Sequence, residues 1–193
     1  MRRVAAELGA GTMSLYRYVP GKPELLDLMV DRVCGETGAP SGEGWRARLE
    51  HVARENRRLY ERHPWLLQVF LGRPPLGPGV IGKYDRELRA IEGIGLSDVE
   101  MDAVLTMVLG HVAGAVSSSF ETARVRAEQS DDAWWESVAP KLERFLDPAE
   151  YPLAVRVGTA ASSAYEGAFD PDHAFEFGLA RLLDGIEAFV TGR

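Results

Sequence analysis

The chain opens with MRRVAAELGAGTMSLYRYVPGKPELLDLMVDRV, residues 1–33. Apolar residues stand one helical turn apart twice in this stretch, at Val4 and Leu8 and again at Leu15 and Val19. This spacing predicts two short helices, each with a narrow apolar stripe that packs inward. The glycine-containing segment between them provides the permissive backbone of a tight turn. Two helices around such a turn are typical of a helix-turn-helix.

The second short helix carries side chains suited to reading DNA. With its apolar pair buried and about 100° per residue, Met13 and Arg17 point outward and Ser14 and Tyr16 lie beside them. An arginine can pair with guanine through two hydrogen bonds, a methionine can contact a thymine methyl, and hydroxyls can reach bases or phosphates. Lys22 follows a Pro-Gly break and is predicted to contact a phosphate.

Residues 4–31, VAAELGAGTMSLYRYVPGKPELLDLMVD, resemble the helix-turn-helix of the TetR (tetracycline-repressor) family of bacterial regulators. The run LYRYVPGK at 15–22 is the most specific part of the resemblance. It implies that some side chains contact bases and others the DNA backbone. The expected base contacts are Thr12, Met13, Ser14 and Arg17, and the expected backbone contacts are Tyr16, Tyr18 and Lys22.

The head of the chain, residues 1–36, departs from the family pattern at its start. Members of the family have a complete helix before the point where this sequence begins, and that helix normally packs on the other two. We therefore expect the helix-turn-helix domain to be N-terminally incomplete as written. Residues 37–44, TGAPSGEG, form the clearest loop and the predicted boundary with the body, residues 45–193.

Composition and charge indicate a soluble protein that holds DNA by one end. The 193 residues carry a net charge of −7, but residues 1–22 hold four basic side chains against one acidic, a net of +3, which leaves −10 for the rest. The single cysteine excludes a disulfide framework and a cysteine-based zinc site. The most apolar segment, 103–116, is shorter than the ~20 residues that span a bilayer. We expect a cytoplasmic protein with no membrane partner.

The apolar spacing in residues 45–193 predicts helices throughout, so the predicted fold is all-α. Residues 98–128 are apolar nearly all round in their first half, which predicts a helix buried on several sides. Residues 173–190 carry a broad apolar face, and Ser97 with Glu100 predicts a capping box. Residues 147–171 are rich in Ala, Ser, Gly and Pro and are predicted to be irregular or mobile. No segment shows a convincing alternating strand pattern.

Two long helices with this much apolar surface predict a homodimer. Glycines four residues apart would let another helix approach closely, and the family resemblance implies a four-helix bundle formed by the eighth and final helices of each subunit. The expected interface residues are Gly110, Gly114, Leu179, Leu182, Leu183, Ile186 and Val190.

The body also holds aromatic residues beside polar groups on its middle helices, the mixture found in ligand pockets. The resemblance implies a ligand cavity walled by these same helices, so the body is expected to serve as a ligand-binding and dimerisation domain. The expected ligand-binding residues are Trp65, Phe70, Tyr84, Met107, His111, Phe120 and Trp134.

No enzyme motif emerges. The four histidines do not form a zinc helix, and there is neither a lysine-bearing phosphate loop nor a G-x-S-x-G. We therefore expect no catalytic residue, no metal and no cofactor. The sequence predicts a ligand-responsive transcriptional regulator, a repressor released from a double-stranded DNA operator by a small, largely apolar effector. Two alternatives stay open: a helical ligand-binding protein that has lost DNA binding, and an all-α enzyme that uses the aromatic pocket.

Overall fold

The computed structural model describes residues 1–69, 75–142, 144–165 and 169–192, and within these ranges the chain forms helices and no strand. The predicted all-α class is confirmed. The helices are α1 (Arg2–Glu7), α2 (Thr12–Tyr18), α3 (Lys22–Cys34), α4 (Gly44–Arg62), α5 (Leu66–Val69), α6 (Pro78–Leu88), α7 (Asp98–Glu128), α8 (Asp131–Leu142), α9 (Pro152–Tyr165) and α10 (Pro171–Thr191).

Side-chain hydrogen bonds cap the N-termini of two helices, α7 and α10. The Glu100 carboxylate accepts bonds from both the backbone N–H and the hydroxyl of Ser97, each at 2.8 Å, and the first of these is one of the two bonds of the predicted capping box at the start of α7. At the start of α10 the Asp170 side chain is itself the acceptor, because its Oδ1 accepts the N–H groups of Asp172 and His173. These caps satisfy N–H groups that have no partner inside the helix.

The chain divides into two compact units. One contains residues 1–109 together with the end of α10 from residue 186, and the other contains residues 110–185. Each has its own buried apolar side chains. In the first unit they include Val30, Val33, Leu49, Val52, Leu59, Leu66, Ile91, Leu105 and Ile186, and in the second Val112, Val116, Phe175, Leu179 and Leu183. The predicted domain boundary at 37–44 falls in the segment between α3 and α4 and stays a prediction.

The inward stripe predicted for α1 is wrong. Val4 is 37% exposed and Leu8 is 67% exposed, whereas Ala5 between them is buried. Because α1 has only six residues, Leu8 falls beyond its last turn, at the C-cap. The small Ala5 is the buried residue of this helix.

Residues 147–171 contain a helix where irregular structure was predicted. Helix α9 runs over Pro152–Tyr165, with its proline in the first turn and one internal glycine. Alanine is a strong helix former, and Pro is tolerated at the start of a helix. The prediction of irregular structure is therefore wrong for Pro152–Tyr165, where the helix propensity of the alanines outweighs the glycine.

Helix α7 is buried along one side rather than on several sides. Val104, Leu105, Val108, Val112 and Val116 are buried, and Met107 and both glycines of the predicted interface are exposed. Among the described helices, α7 alone is long and apolar enough to cross a membrane by length and composition, with 28% of its apolar window buried. The core helix of a soluble protein meets the same two criteria.

Candidate DNA-reading helix and ligand pocket

Helix α2 presents its predicted DNA contacts to solvent. Met13 and Tyr18 are each 80% exposed, Tyr16 is 41% exposed, and Ser14 and Arg17 are also exposed. Beneath them Leu15 is half-buried, and Val19, the extended residue that follows the helix, is buried, so the predicted inward stripe is found only in part. The helix therefore has one apolar side held by the protein and one polar side open to a partner.

The backbone conformations on either side of α2 determine where this helix begins and ends. Gly9 takes φ +61°, a left-handed conformation that suits glycine, and so permits the tight turn between α1 and α2. Val19 ends α2 in an extended conformation ahead of Pro20. Lys22 then begins α3 and is exposed, and Thr12 at the start of α2 is half-buried. The DNA-contact roles of these residues stay predictions.

The predicted ligand residues do not line a single cavity. Trp65 lines a surface groove with Leu28, Met29 and His63, and its ring meets the His63 ring edge-on with centroids 6.3 Å apart. Trp134 lines a different cavity, in the second unit, of about 300 Å³. Met107 and Phe120 are partly exposed. Phe70 lies outside the described residues.

His111 is engaged within its own unit. Its Nε2 lies 3.0 Å from the Phe175 carbonyl oxygen, and its ring stacks on the Phe175 ring with centroids 5.7 Å apart. Gly178 leaves the space that the imidazole fills, because a Cβ there would overlap the ring. His111 therefore packs α7 against α10, and its predicted contact with a ligand has no support from this arrangement.

Tyr84 lines an apolar cavity of about 290 Å³ along α6. The walls are otherwise aliphatic, apart from one basic and one acidic side chain of α6. They are formed by Leu76, Val80, Ile81, Lys83, Tyr84, Glu87 and Leu109. The Tyr84 hydroxyl donates a 2.8 Å bond to Asp102 and so ties α6 to α7. We call this cavity the α6 pocket.

The two charged residues of the α6 pocket form a buried ion pair. Lys83 Nζ lies 2.7 Å from Glu87 Oε1, and the two residues are 6% and 5% exposed. Asn56 on α4 donates a second bond to the same carboxylate oxygen, at 2.5 Å. Burial, together with the smaller effects of the Glu87 and Cys34 charges, raises the pKa of the neighbouring Tyr60 to about 12. Burying two charges costs desolvation free energy, and close geometry together with further hydrogen bonds, such as the bond from Asn56, offsets this cost.

Helix α6 also contacts α3, the helix that follows α2. Asp31 Oδ1 accepts a 2.9 Å bond from the Val80 N–H in the first turn of α6. A Cβ at Gly77 would overlap the Asp31 carboxylate, and a Cβ at Gly79 would overlap the Asp31 carbonyl oxygen. The two glycines therefore allow α3 to lie directly on the start of α6.

A second contact holds the end of α3. Arg86 Nη2 donates to the Cys34 carbonyl oxygen at 3.4 Å and to the Thr37 hydroxyl at 3.3 Å. Cys34 is buried, and burial raises the pKa of its thiol, which makes it an unreactive core residue. The last turn of α3 is thus fixed to α6 at two points, Asp31 and Cys34.

Sequence reasoning missed the residues of these contacts. Lys83 and Glu87 stand four apart, a spacing that normally indicates an exposed pair on a helix surface. The apolar residues on both sides of them were the available signal that this face of α6 is buried. Asp31 and Val80 are 49 positions apart, and no local pattern joins them.

The predicted dimer residues fall into two groups. Gly110 and Gly114 are exposed, with open space where a Cβ would stand. Leu179, Leu183 and Ile186 are at most 3% exposed and belong to the core of their own chain, and Leu182 and Val190 are half-buried. The glycine face of α7 is therefore free for a partner helix, whereas the three most buried residues of α10 are already covered. The interface stays a prediction.

Comparison with known proteins gives the family. Residues 37–190 match the model of the tetracyclin repressor-like C-terminal domain. The chain is 48% identical over 199 residues to the HTH-type transcriptional repressor DrrR1 of Streptomyces coeruleorubidus, covering 100% of this chain and 71% of the relative. It is 26% identical to the class C tetracycline repressor protein of Escherichia coli, covering 96% of this chain and 80% of that protein.

Solved structures agree with the sequence relatives. The TetR family protein ActR of Streptomyces coelicolor, in its complex with actinorhodin, has a TM-score of 0.78 and 26% identity, over 98% of this chain and 87% of ActR. The named relatives are transcriptional regulators rather than enzymes. The match over residues 37–190 and the likeness to DrrR1 show that this chain belongs to the TetR family of transcriptional regulators.

Proposed function

We propose that this protein is a ligand-responsive transcriptional repressor. Its α2 helix reads an operator, and a small, largely apolar molecule bound in the α6 pocket releases the protein from that operator. The relative DrrR1 is named a repressor, and ActR has been crystallised with actinorhodin and with (S)-DNPA. These relatives support the proposal, and the exposed polar side of α2 supplies the surface for DNA.

One observation carries the proposal: α6 lines the α6 pocket and also contacts α3, the helix that follows the proposed DNA-reading helix α2. Val80 lines the pocket and donates its N–H to Asp31 of α3. A ligand that displaces the first turn of α6 must therefore displace α3 as well. Because a ligand shifts an equilibrium by its differential affinity for two states, a few kcal/mol of preference for the displaced state suffices.

The protein is proposed to act in the cytoplasm as a homodimer on a (pseudo)palindromic operator. In a two-fold dimer the paired α2 helices would enter successive major grooves, about 34 Å apart. The exposed Gly110 and Gly114 on α7 support a close helix–helix contact between subunits. A change of spacing between the α2 helices then lowers the affinity of both half-sites together.

Replacement of Arg17 by Ala tests the DNA-reading role. We expect a loss of about 1–3 kcal/mol in binding to an operator selected by the wild-type protein from random duplexes, with selectivity relaxed at one position. Lys22→Ala is expected to weaken binding to all duplexes alike and to reduce the salt dependence. Fluorescence anisotropy at several salt concentrations measures both effects.

The exposed Lys141 on α8 provides the control, because Lys141→Ala removes the same charge away from α2 and should leave operator binding unchanged. Unaltered selectivity of the Arg17→Ala protein would refute the assignment of α2 as the reading helix. If the wild-type protein selected no sequence at all, the repressor function itself would be refuted in favour of a ligand-binding protein without operator recognition.

A further inference from the structure

Two cavities of the second unit share part of their walls. One, the Trp134 cavity, has a volume of about 300 Å³, and the other, the Tyr165 cavity, has a volume of about 440 Å³. Thr122, Arg126 and Phe169 line both of them. Both volumes fall within the range of small-molecule sites, about 300–1,000 Å³. None of the described lining residues belongs to the α6 pocket, so the two cavities form a separate candidate site.

The two cavities differ in the character of their walls. The Trp134 cavity has a mainly apolar lining, to which Val125, Trp134 and Phe169 contribute. The Tyr165 cavity has a mainly polar lining. Its described lining residues are Ser119, Thr122, Ala123, Arg126, Tyr165, Phe169, Asp170, Pro171 and Asp172. A ligand that fills both cavities therefore needs an apolar part joined to a polar part.

The Tyr165 cavity has hydroxyl groups to offer such a ligand. Ser119, Thr122 and Arg126 stand at i, i+3 and i+7 on α7 and so lie on one face of this helix. Within the described part of the chain, the hydroxyls of Ser119, Thr122 and Tyr165 make no hydrogen bond, and their oxygens stay accessible to solvent. The Tyr165 ring is held by the His173 ring, with centroids 5.1 Å apart. Since each hydroxyl can both donate and accept, this wall suits a ligand with several hydroxyls of its own.

The charges around the Tyr165 cavity disfavour an anion. Arg126 is the one cation among its described lining residues, and this guanidinium already lies 2.7 Å from the Asp131 carboxylate. It also donates to the Phe169 carbonyl oxygen at 3.1 Å. Asp170 and Asp172 add two carboxylates to the lining. A phosphate or carboxylate on the ligand would therefore meet like charges and no unpaired cation, which is unfavourable.

We propose that this double cavity binds an aromatic glycoside, with the aromatic ring in the Trp134 cavity and the sugar in the Tyr165 cavity. A sugar carries several adjacent hydroxyls and no charge, which is the chemistry that the polar wall accepts. Its hydroxyls exchange hydrogen bonds with Ser119, Thr122 and Tyr165. The aromatic ring packs against Trp134 and Phe169, whose rings favour offset or edge-on contacts with another ring.

Three probes separate the parts of this ligand. 2-Naphthyl β-D-glucopyranoside has the ring and the sugar, methyl β-D-glucopyranoside has the sugar alone, and 2-naphthyl phosphate has an anion in place of the sugar. Calorimetry on the full chain should show the naphthyl glucoside binding about tenfold or more tightly than either of the other two, because it alone fills both cavities with matching groups.

The double variant Ser119→Ala/Thr122→Val tests the position of the sugar. Removing two hydrogen-bonding hydroxyls should weaken binding of the naphthyl glucoside about tenfold. Binding of 2-naphthol, which has the ring without the sugar, should stay unchanged. Ser117→Ala/Ser118→Ala is the matched control, because both serines are exposed on α7 and neither is among the described lining residues. This control should bind the glucoside as the wild type does.

Four results would overturn the inference. They are no binding of the naphthyl glucoside, equally tight binding of 2-naphthyl phosphate, unchanged glucoside binding by Ser119→Ala/Thr122→Val, and an equal loss in the control variant. The repressor function is judged separately by operator binding of the Arg17→Ala protein, since no residue of the double cavity lies in α2 or lines the α6 pocket.

Discussion

Gly79→Ala is expected to lower the free energy of unfolding by about 3 kcal/mol, the upper part of the range for overpacking a well-packed site. The new methyl group would overlap the Asp31 carbonyl oxygen, a backbone atom of α3 that no rotamer change can move. Either α3 or the start of α6 must shift. Urea denaturation followed by circular dichroism measures the loss.

Gly158→Ala in α9 is the matched control, because a Cβ at that position meets nothing within 4 Å. This substitution should be neutral or stabilise the protein by about 0.5–1 kcal/mol, since alanine favours the helix over glycine. Equal stability of the two variants would show that α3 does not lie on α6 as described.

Lys83→Met is expected to destabilise the protein by about 3–5 kcal/mol, the usual cost of removing one partner from a buried ion pair. The Glu87 carboxylate would keep its bond from Asn56 but lose the balancing positive charge. Adding Glu87→Leu should recover most of the loss, because no charge then remains uncompensated. Urea denaturation of both variants compares their free energies of unfolding.

Arg89→Met gives the control on the same part of the chain. Arg89 pairs with Asp85 at the same four-residue spacing, but both side chains are more than 60% exposed. Exposed pairs add less than about 1 kcal/mol, so this substitution should have little effect. A Lys83→Met protein as stable as Arg89→Met would contradict the burial of the α6 pair.

Helix α2 could be predicted because its signals are local. A glycine turn, two apolar residues one turn apart and a proline break define α2 within twenty residues, and Leu15 and Val19 lie where the spacing places them. The same holds for the capping box of Ser97 and Glu100. Features that depend on neighbours in sequence follow from helix periodicity and backbone preferences alone.

The pocket and its link to α3 could not be predicted in this way, because they depend on which helices meet. Gly77 and Gly79 stand in a run of glycines and prolines, which is typical of a turn, yet α6 begins at Pro78 and both glycines give room to Asp31. The aromatic residues that suggested one pocket are divided among separate cavities. Residue type alone does not determine which face of a helix packs against which neighbour.

Ligand binding in the α6 pocket is proposed to displace α3 and so to release the protein from its operator. Measuring the release of operator DNA as ligand is added tests this coupling most directly. The fluorescence anisotropy of an operator duplex bound to the protein is followed as a small apolar probe, 2-acetylnaphthalene, is added, with ligand occupancy measured in parallel by calorimetry. Wild-type protein should release the duplex as the pocket fills, and Asp31→Asn, which keeps an oxygen to accept the Val80 N–H, should do the same. Asp31→Ala should bind the ligand yet stay on the operator. Release of the Asp31→Ala protein at the same occupancy as the wild type, or a filled wild-type pocket without release, would contradict the coupling.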